Sequence, residues 1–429
     1  MIRLDNRAAD FAAAFTSLVN ARRESDSDVS RDVTAIIADV RARGDTSVRE
    51  LTSKFDGFDL DTQGWEISRA DCAAALAGLT PDLRAALELA AARISDYHKA
   101  QRPLDTDKTD AVGVRLGARW TAVDRAGLYV PGGRAAYPSS VLMNAVPAKV
   151  AGVGELVMVT PTPNGVINPL VLAAAHIAGV DRIFRIGGAH AIAALAYGTE
   201  TIPAVDVITG PGNAWVAEAK RQLFGVVGID MVAGPSEILV VADGANNPEW
   251  TAADLLSQAE HDPTSQSILI TDDAAFADAV AAAVLRQIDA LSTGATAGQS
   301  WAANGAIIVL GSLDEAPPLI DRLAPEHLEL AVADPEILFA RVRHAGSIFL
   351  GRNTPEAIGD YVGGPNHVLP TGRRARFSSG LSVTDFMKRT SFLSCSDAAL
   401  AAIGPAAIAL AHAEGLPAHA ASIEQRLGL

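Results

Sequence analysis

Four segments of this chain carry side chains that could move protons or hold a metal. Glu326 and His327 stand side by side in Pro325-Glu326-His327, directly before an apolar run that reads as a strand. A carboxylate and an imidazole at the mouth of a parallel sheet suit proton transfer, and imidazole ordinarily titrates near neutrality. A merely polar strand entry has the same composition. Gln258 and His261 lie three apart in Gln258-Ala259-Glu260-His261-Asp262-Pro263 and so share a helical face just before a proline ends the helix. They fit a ligand pair or a solvated helix end. His412, Glu414 and His419 gather in HAEGLPAH near the C-terminus, which also reads as a polar joint between helices. Residues 359–371, GDYVGGPNHVLPT, are too rich in Gly and Pro to form an element, yet they hold Asp360, Asn366 and His367. Such a loop binds something or connects domains. His98, His176 and His344 fall on helical patterns and read as structural or surface residues.

A second kind of chemistry is anion binding. Pro131-Gly132-Gly133, Gly187-Gly188 and Gly210-Pro211-Gly212 are glycine-rich turns. The last two each follow a predicted strand and precede a predicted helix, so backbone N–H groups and a helix N-terminus could face a phosphate. Neither matches G-x-G-x-x-G, and on spacing alone an ordinary tight β-α turn is the better reading.

The elements that must position these residues come in two series. Residues 32–43 and 81–98 have helical apolar spacing, while 112–129 alternate around Gly117 and predict a hairpin. From Gly154 the pattern is strand, helix, strand. Strands are expected at 156–159, 182–186 and 205–208, then at 238–241, 267–271, 306–310, 328–331 and 347–350. Residues 398–413 and 418–427 close the chain as helices. Alternation with short connections implies parallel sheets with right-handed crossovers. The expected fold is therefore α/β: two incomplete Rossmann-like parallel-sheet domains with N-terminal helices and a small C-terminal helical segment. The expected division places 1–125 as a helical part joining the first domain, 126–233 as the second domain, 234–375 as the remainder of the first, and 376–429 as the terminal segment.

Bulk properties narrow the function. A chain of 429 residues exceeds one hydrophobic core. Its formal charge of −15, from 35 basic and 50 acidic residues, disfavours nucleic acid. Cys72 and Cys395 are the only cysteines, so a disulfide framework or Cys-rich zinc site is excluded. The opening residues MIRLDNRAADFAAAF lack the apolar core of a secretory leader, and charges interrupt the alanine-rich stretches before they reach a membrane-spanning length. A cytoplasmic protein without membrane association is expected.

These same segments resemble the histidinol dehydrogenase family. The resemblance rests on LYVPGGRAAYPSSVLMNAVPAKVAGV (128–153), TGPGNAWVAEAKRQ (209–222), DMVAGPSEILVVAD (230–243), LLSQAEHDPTSQSILIT (255–271), LAPEHLEL (323–330), GDYVGGPNHVLPT (359–371), ARFSSGLSVTDFMKRTS (375–391) and EGLPAHAASIEQRL (414–427), in the family's order. It implies sequential NAD-dependent oxidation of L-histidinol to L-histidine through bound L-histidinaldehyde, consuming two NAD per substrate. It further implies one zinc per subunit, held by Gln258, His261, Asp360 and His419. Glu326 and His327 match the catalytic pair. Ser236, His367 and Glu414, with the zinc ligands and the catalytic pair, match substrate-contacting positions. Tyr129, His190 and Asn213 match NAD-contacting positions, but His190 stands where the family usually has Gln, with a different reach and charge. The resemblance also implies a homodimer whose C-terminal segments cross, so that His419 completes the partner's site. The alternative is a related zinc and NAD alcohol dehydrogenase acting on another small polyol or a sulfonated diol.

Overall fold

The computed structural model describes residues 1–21, 29–132, 137–232 and 234–429. Two parallel sheets organise it. In the first, the strands run in the order Ile2–Asp5, Ala306–Val309, Gln266–Thr271, Glu237–Ala242, His327–Ala331 and Ser347–Leu350. Every pair is parallel. The central strands are buried along their whole length, which explains their continuous apolar sequence. The second sheet runs Glu66–Ile67, Arg182–Phe184, Glu155–Val159, Arg125–Tyr129, Val207–Thr209 and Gly228–Ile229, parallel except for its first strand. The parallel strands of this sheet start at Arg125–Tyr129, build outward to one side, then return to build the other. The crevice between Arg125–Tyr129 and Val207–Thr209 is thus a topological switch point.

The first twenty residues belong to the first sheet, but the helices that follow pack on the second. Val33, Ile37, Val40 and Phe58 join Phe184 and Ile192 in one core cluster. Leu87, Ala90 and Ile94 join Val141 and Leu156 on the opposite face. Local signals agree with these elements. Thr80 caps the helix Pro81–Lys99, and Asn168 caps Pro169–Ala178, each with proline in its first turn.

Two expectations fail. Residues 112–129 do not form a hairpin. Arg115–Ala122 pairs antiparallel with Thr106–Thr109 and Met387–Ser394, whereas Arg125–Tyr129 enters the second parallel sheet. The chain turns at Asp124, where the Asp206 carboxylate accepts the N–H groups of Asp124 and Arg125 at 2.9 and 3.0 Å. The terminal segment is also not purely helical, because Met387–Ser394 is that third strand. After it, the helices Asp397–Ala413 and Pro417–Leu427 pack on each other yet bury only Ala399, Gly404, Ala411 and Ala420. Among the described residues no helix is long and apolar enough to cross a membrane.

Candidate active site

Glu326 and His327 enter the first sheet beside Glu237, with His327 paired to Ile238 across the strands. The two chain segments lock each other. Glu237 N–H donates to Glu326 Oε2 at 2.9 Å, and Glu326 N–H donates to Glu237 Oε2 at 3.3 Å. The mouth of the sheet that they occupy is its amino end. Doubly wound sheets ordinarily bind ligands at the carboxyl end. There, Asp243 accepts the N–H groups of Ala333 and Ala245 at 2.8 and 3.1 Å and pairs with Arg352 at 3.3 Å.

His327 Nδ1 lies 3.0 Å from the Glu237 carbonyl oxygen, which only accepts, so Nδ1 carries the hydrogen. Nε2 is then the basic atom, and it is buried without a hydrogen-bond partner. It faces Asp360 at 3.6 Å and Glu356 at 3.9 Å. Burial alone would disfavour an imidazolium, but Glu326, Asp360 and Glu356 outweigh it and raise the His327 pKa to about 10. Burial pushes the Glu326 carboxyl up to about 8. Burial opposes the charge of Asp360, but the facing His327 imidazole and the charge of His367 hold its carboxyl far below the usual range.

The surrounding donors converge from three elements. Gln258 ends the helix Pro248–Ala259 and is buried; its Oε1 has no partner. His261 follows that helix, with Nδ1 3.3 Å from Ser236 Oγ. Asp360 is not on an irregular loop, as the sequence suggested. It lies in a π-helical turn, Gly359–Gly363, that continues the helical turn Glu356–Ile358, a local form common at functional sites. Arg93 pins this turn by donating to the carbonyls of Val362 and Gly363 at 2.6 and 3.1 Å. His367 Nδ1 donates to the Asp360 carbonyl at 3.1 Å. Asn366 ties the following loop to the second sheet's layer through the Met143 carbonyl at 2.6 Å.

The sequence reading missed Glu356. It groups with His327 and Asp360 closely enough to share an ion, the ligand atoms all lying within 4.8 Å of one another. Its spacing four residues before Asp360, one helical turn, is the only signal that could have found it. The oxygen and imidazole donors of Gln258, His261 and Asp360, with Gln258 Oε1 buried and unpartnered, fit a borderline cation such as zinc. Among the described residues, no hydrogen bond or ion pair joins Glu414 or His419 to this group. Both are exposed at the junction of the two terminal helices, where His419 N–H donates to the Leu416 carbonyl at 3.0 Å.

The residues singled out for dinucleotide contact lie at the carboxyl end of the second sheet. Tyr129 ends its strand, and its hydroxyl accepts the Gly188 N–H at 3.2 Å, at the N-terminus of the helix Gly188–Tyr197. Burial lifts the Tyr129 pKa to about 12, so the hydroxyl keeps its proton and can donate. Asn213 caps the helix Ala214–Leu223, its Oδ1 accepting from Trp215 and Val216, which leaves Nδ2 for a ligand. His190 is buried, with Nε2 3.2 Å from Thr52 Oγ1. Burial lowers its pKa to about 4, so it stays neutral. Two further residues escaped the sequence reading. Lys220 and Asp230 form a buried ion pair around Gly210. Lys220 Nζ donates to the Gly210 carbonyl at 3.0 Å, and Asp230 accepts the Gly210 N–H at 2.8 Å. Gly210 has φ +113°, and a Cβ there would strike the Tyr129 carbonyl. In the turn at Pro131-Gly132-Gly133, Gly133 falls outside the described residues.

Comparison with known proteins identifies the family. A family model described as histidinol dehydrogenase matches residues 19–427. A histidinol dehydrogenase of Zymomonas mobilis subsp. mobilis is 66% identical over 427 residues, covering 100% of this chain and 99% of its own length. One from Rhodospirillum rubrum is 63% identical, with 99% and 98% covered. The crystal structure of histidinol dehydrogenase from Elizabethkingia anophelis superposes with a TM-score of 0.95 at 35% identity, covering 100% of this chain and 98% of that one. The alternative of a polyol or sulfonated-diol dehydrogenase finds no support among these relatives. From the sheet that presents Glu326 and His327 to the C-terminal helices, the chain belongs to the histidinol dehydrogenase family.

Proposed function

We propose that this protein oxidises L-histidinol to L-histidine in two NAD-dependent steps, through L-histidinaldehyde that stays bound. One observation carries the reading: His327 holds its hydrogen on Nδ1 against Glu237 and presents a buried, unpartnered Nε2 beside Asp360. An imidazole so fixed is a general base of defined orientation.

Gln258, His261 and Asp360, with His419 of the partner subunit, would hold one zinc ion per subunit. Bound zinc would supply a Lewis-acid anchor for the amino and imidazole nitrogens of the substrate. Its charge would also offset the carboxylate field at His327 and return that imidazole toward its ordinary range. NAD would accept the two hydrides, one per step, from the crevice beside Tyr129, His190 and Asn213. The chain's own work is proton transfer. His327 Nε2 takes the hydroxyl proton as the first hydride leaves, giving the aldehyde. Glu326, once ionised, takes a proton from water as that water adds to the aldehyde, while His327 returns its proton to the carbonyl oxygen, so that the hydrate forms and Nε2 is free again. His327 then removes a hydroxyl proton from the resulting hydrate as the second hydride leaves. Ser236, His367 and Glu414 would contact the substrate.

A homodimer with exchanged C-terminal segments is supported by the uncovered terminal helices. Leu410 is 64% exposed on a helix composed almost entirely of apolar residues. Such a face is expected to be covered by another chain. The negative charge supports a cytoplasmic enzyme of small molecules that acts apart from nucleic acid and membranes.

The test is chelation. Metal-depleted protein should lose histidinol-dependent NAD reduction and regain it on zinc addition. Activity indifferent to chelation would refute the metal-anchored reading.

A further inference from the structure

The metal-site reading leaves unexplained a buried carboxylate that has none of the roles assigned above. Glu356 is 1% exposed and begins the helical turn that leads into Asp360. Both of its oxygens are taken. Gln258 Nε2 donates to Oε1 at 2.7 Å, and Ser257 Oγ donates to Oε2 at 2.7 Å. Its own N–H donates to Glu329 Oε1 at 2.6 Å, which ties the turn to the strand His327–Ala331. The two donors are consecutive residues at the end of one helix, so the carboxylate grips that helix end with both oxygens.

This grip has a chemical consequence. A carboxylate only accepts hydrogen bonds, whereas the glutamine carboxamide donates from one end and accepts at the other. With Nε2 turned to Glu356, Oε1 must point the opposite way, and it is there buried and unpartnered. Were the amide flipped, Oε1 would meet the Glu356 carboxylate and the NH₂ group would face the cation position. Neither contact is favourable in a buried site.

Building on the metal-site reading, we propose that Glu356 is a positioning residue that locks the Gln258 carboxamide with Oε1 toward the zinc. It acts through Gln258: the carboxamide Nε2 and the adjacent Ser257 hydroxyl both donate to it. Partners that orient ligands in this way commonly set metal affinity.

The test is zinc affinity, measured on the full-length protein by competition with a chromophoric chelator. Glu356→Gln gives the neighbouring residue an NH₂ group of its own and lets either amide orientation form a hydrogen bond. Its zinc affinity is expected to fall by about ten- to a hundredfold. The same change in a Gln258→Ala background should cost no more than about twofold beyond Gln258→Ala alone, because the residue it positions is gone. Affinity within twofold of wild type for the single variant overturns the proposal. So do losses that multiply in the double variant, which would make Glu356 a ligand in its own right. Should Glu356→Gln not fold, Ser257→Ala carries the test. It frees one carboxylate oxygen and should weaken zinc by roughly tenfold, at the low end for such partners; an unchanged affinity overturns the proposal equally. A wild-type protein that takes up no zinc refutes the metal-site reading and this inference with it. Normal wild-type uptake with unaffected variants refutes the inference alone.

Discussion

Replacing His327 with Asn removes the one atom on which proton transfer is argued to depend and little else. The asparagine Nδ2 falls near the position of the imidazole Nδ1 and can still donate to the Glu237 carbonyl, so the strand junction stays satisfied. What disappears is Nε2, the buried and unpartnered base. A positioned general base contributes about 10²- to 10⁴-fold, or roughly 3–5 kcal/mol of barrier. Turnover of histidinol should therefore fall by about that factor, with zinc content unchanged, since His327 lies outside the proposed ligand set. Initial rates of NADH formation with zinc analysis on the same samples make the comparison. The variant also has a signature in the metal-depleted state. The His327 pKa stands at about 10 in the fold against an ordinary 6.5, so the folded form binds the extra proton between those limits. That contribution is complete below pH 6.5 and lost as pH rises through about 10. At about 1.4 kcal/mol per pH unit it amounts to a few kcal/mol. Chelated wild-type protein should thus melt at progressively lower temperature from pH 6.5 to 10, and chelated His327→Asn should decline less. Turnover within tenfold of wild type, in a variant that keeps its zinc, would refute the assignment of the base.

Three further expectations follow from the site. Glu326 has its carboxyl raised to about 8 by burial and becomes a base only when ionised, so oxidation of added histidinal should rise with pH through that region. Glu326→Gln should flatten this rise; a variant with the wild-type profile would exclude Glu326. Mixing His327→Asn chains with His419→Ala chains should restore activity to roughly a quarter of wild type if sites are shared across a two-fold dimer, because half the dimers are hybrid and each hybrid rebuilds one complete site. No recovery would place His419 in its own chain's site. Because His190 stays neutral, with its pKa lowered to about 4, His190→Gln should leave turnover within about a few-fold and should not shift the pH dependence of the NAD KM in the neutral range. A collapse in turnover would mean that this position does work the present account omits.

Much of the fold was legible because burial imposes a readable pattern. Ile238, Val240, Ile268 and Leu269 sit in strands enclosed on both faces, and such strands must be continuously apolar. Gly179 and Asn168 marked a helix end and start through their own conformational preferences. The misread segments are those whose structure is decided by distant chain. Arg115–Ala122 and Met387–Ser394 alternate weakly, and only their mutual pairing makes them strands. Local sequence could not reveal that Asp206, far along the chain, would turn residues 124 and 125 into a different sheet. The site follows the same rule. The types and spacing of Glu326, His327, Gln258 and His261 offered reactive chemistry beside the plainer readings of a polar strand entry and a solvated helix end. Glu356 did not, because its significance exists only once the helix bearing Gln258 and the turn bearing Asp360 are brought together.

The most direct measurement is the yield of NADH from a limiting, known amount of L-histidinol, followed to completion with zinc-loaded enzyme and excess NAD. The account predicts two NADH per histidinol, histidine as the product, and no aldehyde released to a carbonyl trap. A yield of one NADH with trapped histidinal, or no NADH at all, would contradict it.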